Sequence, residues 1–148
     1  WTPGNVIVPD ESMIFWTGTG EVHINYIPRK PTPYGIEMKT LACASARIVL
    51  QMEMVEGREL DATKKYRDQV GASTATTLRL CEPWAGSGRI VVADAWFGSC
   101  NTAEWLMDVL GLYCILAVKT GHRGFPKQEL IRQIRPTRYS SAFKKVTV

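Results

Sequence analysis

Four apolar, mostly β-branched residues, Ile90-Val91-Val92-Ala93, run straight into an aspartate, Asp94. A run of this length and composition is strand material, and its lack of polar alternation marks a strand covered by protein. A carboxylate at the end of such a strand has no packing reason to be there, because an unpaired buried charge is costly. The carboxyl ends of strands are where open α/β sheets place their ligands. An aspartate there also caps turns and helices, so the position by itself leaves both roles open.

The rest of the chain supplies the sheet and helices around that strand. Asn5–Val8 and Met13–Trp16 are apolar runs on either side of Pro9-Asp10-Glu11-Ser12, and read as one strand interrupted or bent at Pro9. Residues 22–27 alternate like a short edge strand, and the Pro28–Pro33 stretch is an exposed basic connector. Gly35–Ala44 and Arg47–Val55 read as two strands joined by a tight turn at Ser45, with Ile48, Leu50, Met52 and Met54 on one apolar face. Asp61–Gln69 and Ser73–Cys81 have helical character, the second closed by Pro83. Asn101–Leu110 is the clearest helix, with Asn101 as cap, Glu104 at the capping-box position, Gly111 as stop, and Trp105, Leu106, Val109 and Leu110 facing inward. Tyr113–Val118 is a further strand and Pro126–Ile134 a short basic helix. Strands first, then strand–helix–strand, predict one α/β domain with a mixed sheet flanked by helices.

Charge is distributed unevenly along this chain of 148 residues. Residues 1–118 carry 10 Lys and Arg against 13 Asp and Glu, whereas residues 119–148 carry 8 against 1. A basic segment after a near-neutral body suits contact with a phosphate backbone, and equally suits a solvated tail. Lys119, His122, Arg123 and Lys127 are the candidates for phosphate contact, with Lys30 in the upstream connector. Cys43, Cys81, Cys100 and Cys114 form no CxxC pair and no cluster with His23 or His122, which argues against a zinc site and for a reducing compartment. No apolar run approaches the ~20 residues of a membrane span. Trp96, close behind Asp94, is a candidate for base stacking or for core packing.

Three blocks in order carry a resemblance. Asp10-Glu11-Ser12-Met13 with Phe15, then Lys30-Pro31 with Tyr34-Gly35-Ile36-Glu37, then Val92-Ala93-Asp94-Ala95-Trp96-Phe97-Gly98-Ser99 resemble the catalytic core of piggyBac-type DNA transposases. The resemblance implies a ribonuclease-H-like fold across residues 1–148, C-terminally incomplete, with Asp10 and Asp94 as catalytic residues and ligands of Mg²⁺ or Mn²⁺. It further implies DNA as partner (transposon ends and target), a dimer in the full-length protein, nuclear localisation, and cut-and-paste transposition by metal-dependent phosphodiester hydrolysis and strand transfer. The chain departs from the family pattern at Thr17-Gly18-Thr19-Gly20-Glu21, where basic residues are usual, and at Pro9. Nothing after Asp94 fits the family's third carboxylate; Asp108 and Glu129 are assigned to no role. The fragment alone is therefore expected to be inactive. The alternative is a domesticated or decayed transposon-derived protein that binds DNA without cutting it.

Overall fold

The computed structural model of the chain describes residues 1–20 and 23–133. The strands are β1 (Val6–Phe15), β2 (Ile24–Tyr26), β3 (Tyr34–Cys43), β4 (Ile48–Met54), β5 (Ile90–Ala93) and β6 (Tyr113–Leu116). The helices are α1 (Arg58–Thr63), α2 (Ala72–Cys81), α3 (Cys100–Asp108) and α4 (Lys127–Gln133), with a 3₁₀ turn at Glu82–Trp84. All six strands form one sheet. β3 pairs antiparallel with β1, and β2 and β4 share its other edge, while β5 joins β1 and β6 joins β5 in parallel. This is the mixed sheet that the order of elements predicts.

One face of the sheet holds the core. Ile7, Leu41, Val91 and Ala93 point toward Ala75, Leu78 and Cys81 of α2 and Leu106 of α3, and Phe97 and Leu112 complete the cluster. Burial of this kind is worth about 1.5–3 kcal/mol for each large aliphatic or aromatic side chain, which is what holds two short helices on a sheet.

Several local expectations change. Pro9 does not interrupt β1, which runs unbroken through it. Ala44 donates its N–H to the Val6 carbonyl and Ile90 donates to the Asn5 carbonyl, so even-numbered residues of β1 bond toward β3 and odd-numbered ones toward β5. The missing donor of Pro9 therefore faces β5, and the β1–β5 ladder stops one rung below it, at Ile7–Val91. In β4 a bulge opposite Leu41/Ala42 takes Leu50 out of the pairing, so the apolar alternation does not stay on one face. Val49, Met52 and Met54 share a face, and Ile48 lies on the other with Gln51 and Glu53.

The charged helix is shorter and earlier than its composition suggests. α1 ends at Thr63 because Lys64 is extended and Tyr66 has φ 67°, a conformation no helix accommodates. The cap of α3 is Ser99, whose Oγ accepts the Thr102 N–H at 2.9 Å; Asn101 already lies inside the helix. Val109 is exposed, but Gly111 (φ 60°) does end the helical stretch as expected. Of the strand expected over residues 22–27, Val22 lies outside the described residues, as does Ile134 of the last helix.

Candidate active site

Asp10 and Asp94 come from neighbouring strands. The pairs Val6–Ile90 and Ile7–Val91 fix the parallel register of β1 and β5. Counted on from those pairs, Asp10 and Asp94 occupy equivalent positions three residues beyond the last β1–β5 pair, Asp94 being the first residue after β5. Side chains alternate along β1, so Asp10 lies on the face away from α2 and α3, opposite to Ile7; Asp94 opens the turn that follows β5. Both are exposed. Pro9 ends the ladder immediately below them, which frees the two strands to separate at this level.

Each carboxylate has one oxygen engaged. Asp94 Oδ1 accepts the N–H groups of Trp96 (2.9 Å) and Phe97 (3.4 Å), and the Gly98 N–H donates to the Asp94 carbonyl (2.8 Å). Asp94 thus organises its own turn, so the turn-capping role and an outward role coexist. Asp10 Oδ1 accepts the Glu11 N–H at 2.7 Å, and Thr40, its partner on β3, donates from Oγ1 to the Asp10 carbonyl at 3.2 Å. Among the described residues no hydrogen bond engages Oδ2 of either aspartate. A free carboxylate oxygen is a hard donor of the kind that suits Mg²⁺ or Mn²⁺. Among the described residues no group of three His, Cys, Asp or Glu converges on one point.

The sequence reading missed the charges behind this pair. Glu11, turned to the helix face, receives Arg29 (3.1 Å), Lys30 (3.4 Å) and Lys39 (3.6 Å). Lys39 is buried, pairs with Glu37 at 2.7 Å, and sets its Nζ 3.6 Å from the centre of the Trp96 ring. In the sequence these are only a lysine and two glutamates in otherwise apolar strands, and they become a buried network once β1 is laid beside β3. Next to this network a cavity of about 200 Å³ opens between the sheet and α2, lined by Glu37, Lys39, Glu53, Arg79 and Trp96. It lies on the opposite face of the sheet from Asp10, and Arg79 and Glu53 close a bidentate pair across it at 2.6 and 2.8 Å.

The five cations singled out for phosphate contact separate into two groups. Lys30 is held at Glu11, only partly exposed. Lys119, His122, Arg123 and Lys127 are exposed. They follow β6, whose last residue Leu116 pairs with Ala93, so their loop leaves the sheet at the end where Asp94 sits. Within it the His122 N–H donates to the Lys119 carbonyl at 2.8 Å and Gly124 turns the chain at φ 87°. The basic residues beyond 133 lie outside the described residues.

With this geometry in hand, comparison with known proteins is decisive on ancestry. The family described as transposase IS4 matches residues 1–147. The chain belongs to that family. Among solved structures, it superposes on a chain of the cryo-EM structure of a piggyBac transposase synaptic complex with hairpin DNA, with a TM-score of 0.75 and 26% identity. That match covers 92% of this chain and 27% of the transposase chain, so this family member corresponds to about a quarter of the longer protein. No curated protein matches. The fold of this chain is ribonuclease-H-like, and the resemblance drawn from the three sequence blocks holds.

Proposed function

We propose that this chain carries the Asp10–Asp94 part of the nuclease and strand-transfer site of a piggyBac-type transposase. The observation that supports the reading is that Asp10 and Asp94 stand at equivalent positions beyond the last pair of two adjacent parallel strands, each with one oxygen that no hydrogen bond among the described residues engages. Like charges brought together repel unless a cation lies between them, which is the physical reason to pair them at all. A bound Mg²⁺ or Mn²⁺ would supply Lewis-acid activation of a water or 3′-hydroxyl and charge stabilisation at the scissile phosphate.

The chain's own residues divide the remaining work. The Trp96 and Phe97 amides hold the Asp94 carboxylate in one rotamer, and Thr40 fixes the backbone at Asp10. Lys119, His122, Arg123 and Lys127 present positive charge at the same end of the sheet, where a DNA backbone would approach; the DNA in the related transposase complex supports that assignment. A third carboxylate belongs to the full-length arrangement of the family, and neither Asp108 nor Glu129 takes that place here. Metal binding without turnover is therefore expected of the isolated chain. Transposon ends and target DNA as substrates, a dimer, and a nuclear location belong to the same proposal for the full-length protein.

Titration with Mn²⁺, followed by electron paramagnetic resonance, tests the site. Binding is expected in the unaltered chain and about tenfold or more weaker in both Asp10→Ala and Asp94→Ala. Equal affinity in all three proteins sinks the assignment. In parallel, affinity for duplex DNA should fall with salt at about 0.9 log units per phosphate contact for each log unit of salt. Salt-dependent DNA binding with no aspartate-dependent metal binding would favour the reading of a transposon-derived DNA binder without catalysis.

A further inference from the structure

We infer that Lys39 is a positioning residue that couples the strand bearing Asp10 to the turn bearing Asp94; the inference deepens the proposed site and rests on it. Its ammonium group is almost fully withdrawn from solvent, its side chain 5% exposed, in the middle of β3. Such a charge persists in a protein interior only where partners replace its water. Here the partners come from three places. Glu37 lies two residues away on the same strand, at 2.7 Å. Glu11 lies opposite Lys39 in the β1–β3 register, at 3.6 Å, and is the residue immediately after Asp10. The Trp96 ring, at 3.6 Å from its centre, belongs to the turn that Asp94 organises.

The geometry makes Lys39 a bridge beneath the two aspartates. Between β1 and β5 the hydrogen-bonded ladder has already stopped at Ile7–Val91, so backbone pairing does not tie Asp10 to Asp94 at their own level. On the helix face, a route from one to the other runs from Asp10 to Glu11, across to Lys39, up to the Trp96 ring and back through the Trp96 N–H to Asp94 Oδ1. Phe97 packs edge-on against Trp96 with ring centres 4.5 Å apart, and is itself fully buried, so the indole is braced where the cation meets it. Trp96 thus gives one ring face to a lysine while the residue stays 38% exposed.

Lys39→Met keeps the aliphatic stem and removes the cation. Amide hydrogen exchange by NMR on the full chain reads the consequence without reference to metal. The Trp96 and Phe97 amides should exchange about tenfold faster in Lys39→Met while those of α3 keep their protection, the size set by loss of a desolvated cation–π contact. Mn²⁺ affinity should fall with them. Should Lys39→Met fail to fold with Glu37 left uncompensated, Trp96→Leu removes the ring instead and is expected to give the same local rise. Unchanged exchange at residues 96 and 97 in a folded variant overturns the inference. An unaltered chain that binds no Mn²⁺ overturns the metal site, and the exchange measurement still decides the role of Lys39.

Discussion

Gly98 shows how little room the turn behind Asp94 allows. A Cβ at this position would collide with the Ala117 carbonyl oxygen and lie 2.9 Å from that of Asp94, both backbone atoms that cannot rotate away. The Gly98 N–H also makes the bond that closes the turn. Gly98→Ala is therefore expected to cost about 1–3 kcal/mol, as overpacking does in rigid surroundings, and to push the turn off the end of β6. Urea unfolding measures the loss, and a midpoint equal to that of the unaltered chain would show that the turn yields without cost. Asp94 and Asp10 stand out in the sequence as candidates because of the blocks around them, since a carboxylate at a strand position by itself leaves a capping role equally open. Lys39 does not. A lysine next to Glu37 reads as a solvated pair until β1 is laid beside β3 and Glu11 falls opposite it. Burial of a charge is a property of the pairing of strands distant in sequence, which no local pattern carries.

Elements were more readable than their ends. The order of strands and helices followed from periodicity and turn residues, whereas caps and bulges depended on which side chain finds an orphan N–H. At the start of α3 both Ser99 and Asn101 are good capping residues; the structure selects Ser99, buried and linked through Thr102 Oγ1 to Thr74 at 2.8 Å in each step. That choice also places the helix start two residues closer to Asp94. Ser99→Ala should cost about 1 kcal/mol and Asn101→Ala a few tenths at most. Thermal denaturation of the two variants separates them, and the reverse order would return the cap to Asn101. Pro9 is the other element-scale lesson. Read locally it breaks a strand, but in the sheet its absent donor falls on the side where β1 and β5 part company, so β1 continues and only the ladder ends.

At the scale of the whole molecule the sheet is two-faced. Ile7, Leu41, Val91 and Ala93 are sealed under α2 and α3. The face that carries Asp10 also carries Met52, Tyr113 and Ile115, which are 63%, 63% and 64% exposed, and Val49 at 50%. These side chains belong to β4 and β6, on either side of β1 in the sheet, so exposed apolar groups flank the strand that bears Asp10. That surface follows from register: the bulge at Leu50 and the parallel pairing of β5 with β6 turn Val49, Met52, Tyr113 and Ile115 to the same side. Apolar patches beyond a few hundred Å² are uncommon on soluble monomers and seek cover. The chain by itself should therefore bind a hydrophobic reporter dye in its native state and associate with itself as concentration rises. A lysine at Met52 or Ile115 places a charge on the patch without touching the core, since both side chains already face solvent. Met52→Lys and Ile115→Lys should each lower dye binding and shift sedimentation toward the monomer, with the unfolding midpoint changed by no more than about 0.5 kcal/mol equivalent, as for other surface substitutions. A chain that sediments as a monomer at high concentration and leaves the dye dark would mean that this face is covered, and the approach to Asp10 and Asp94 would then have to be sought from the edge of the sheet.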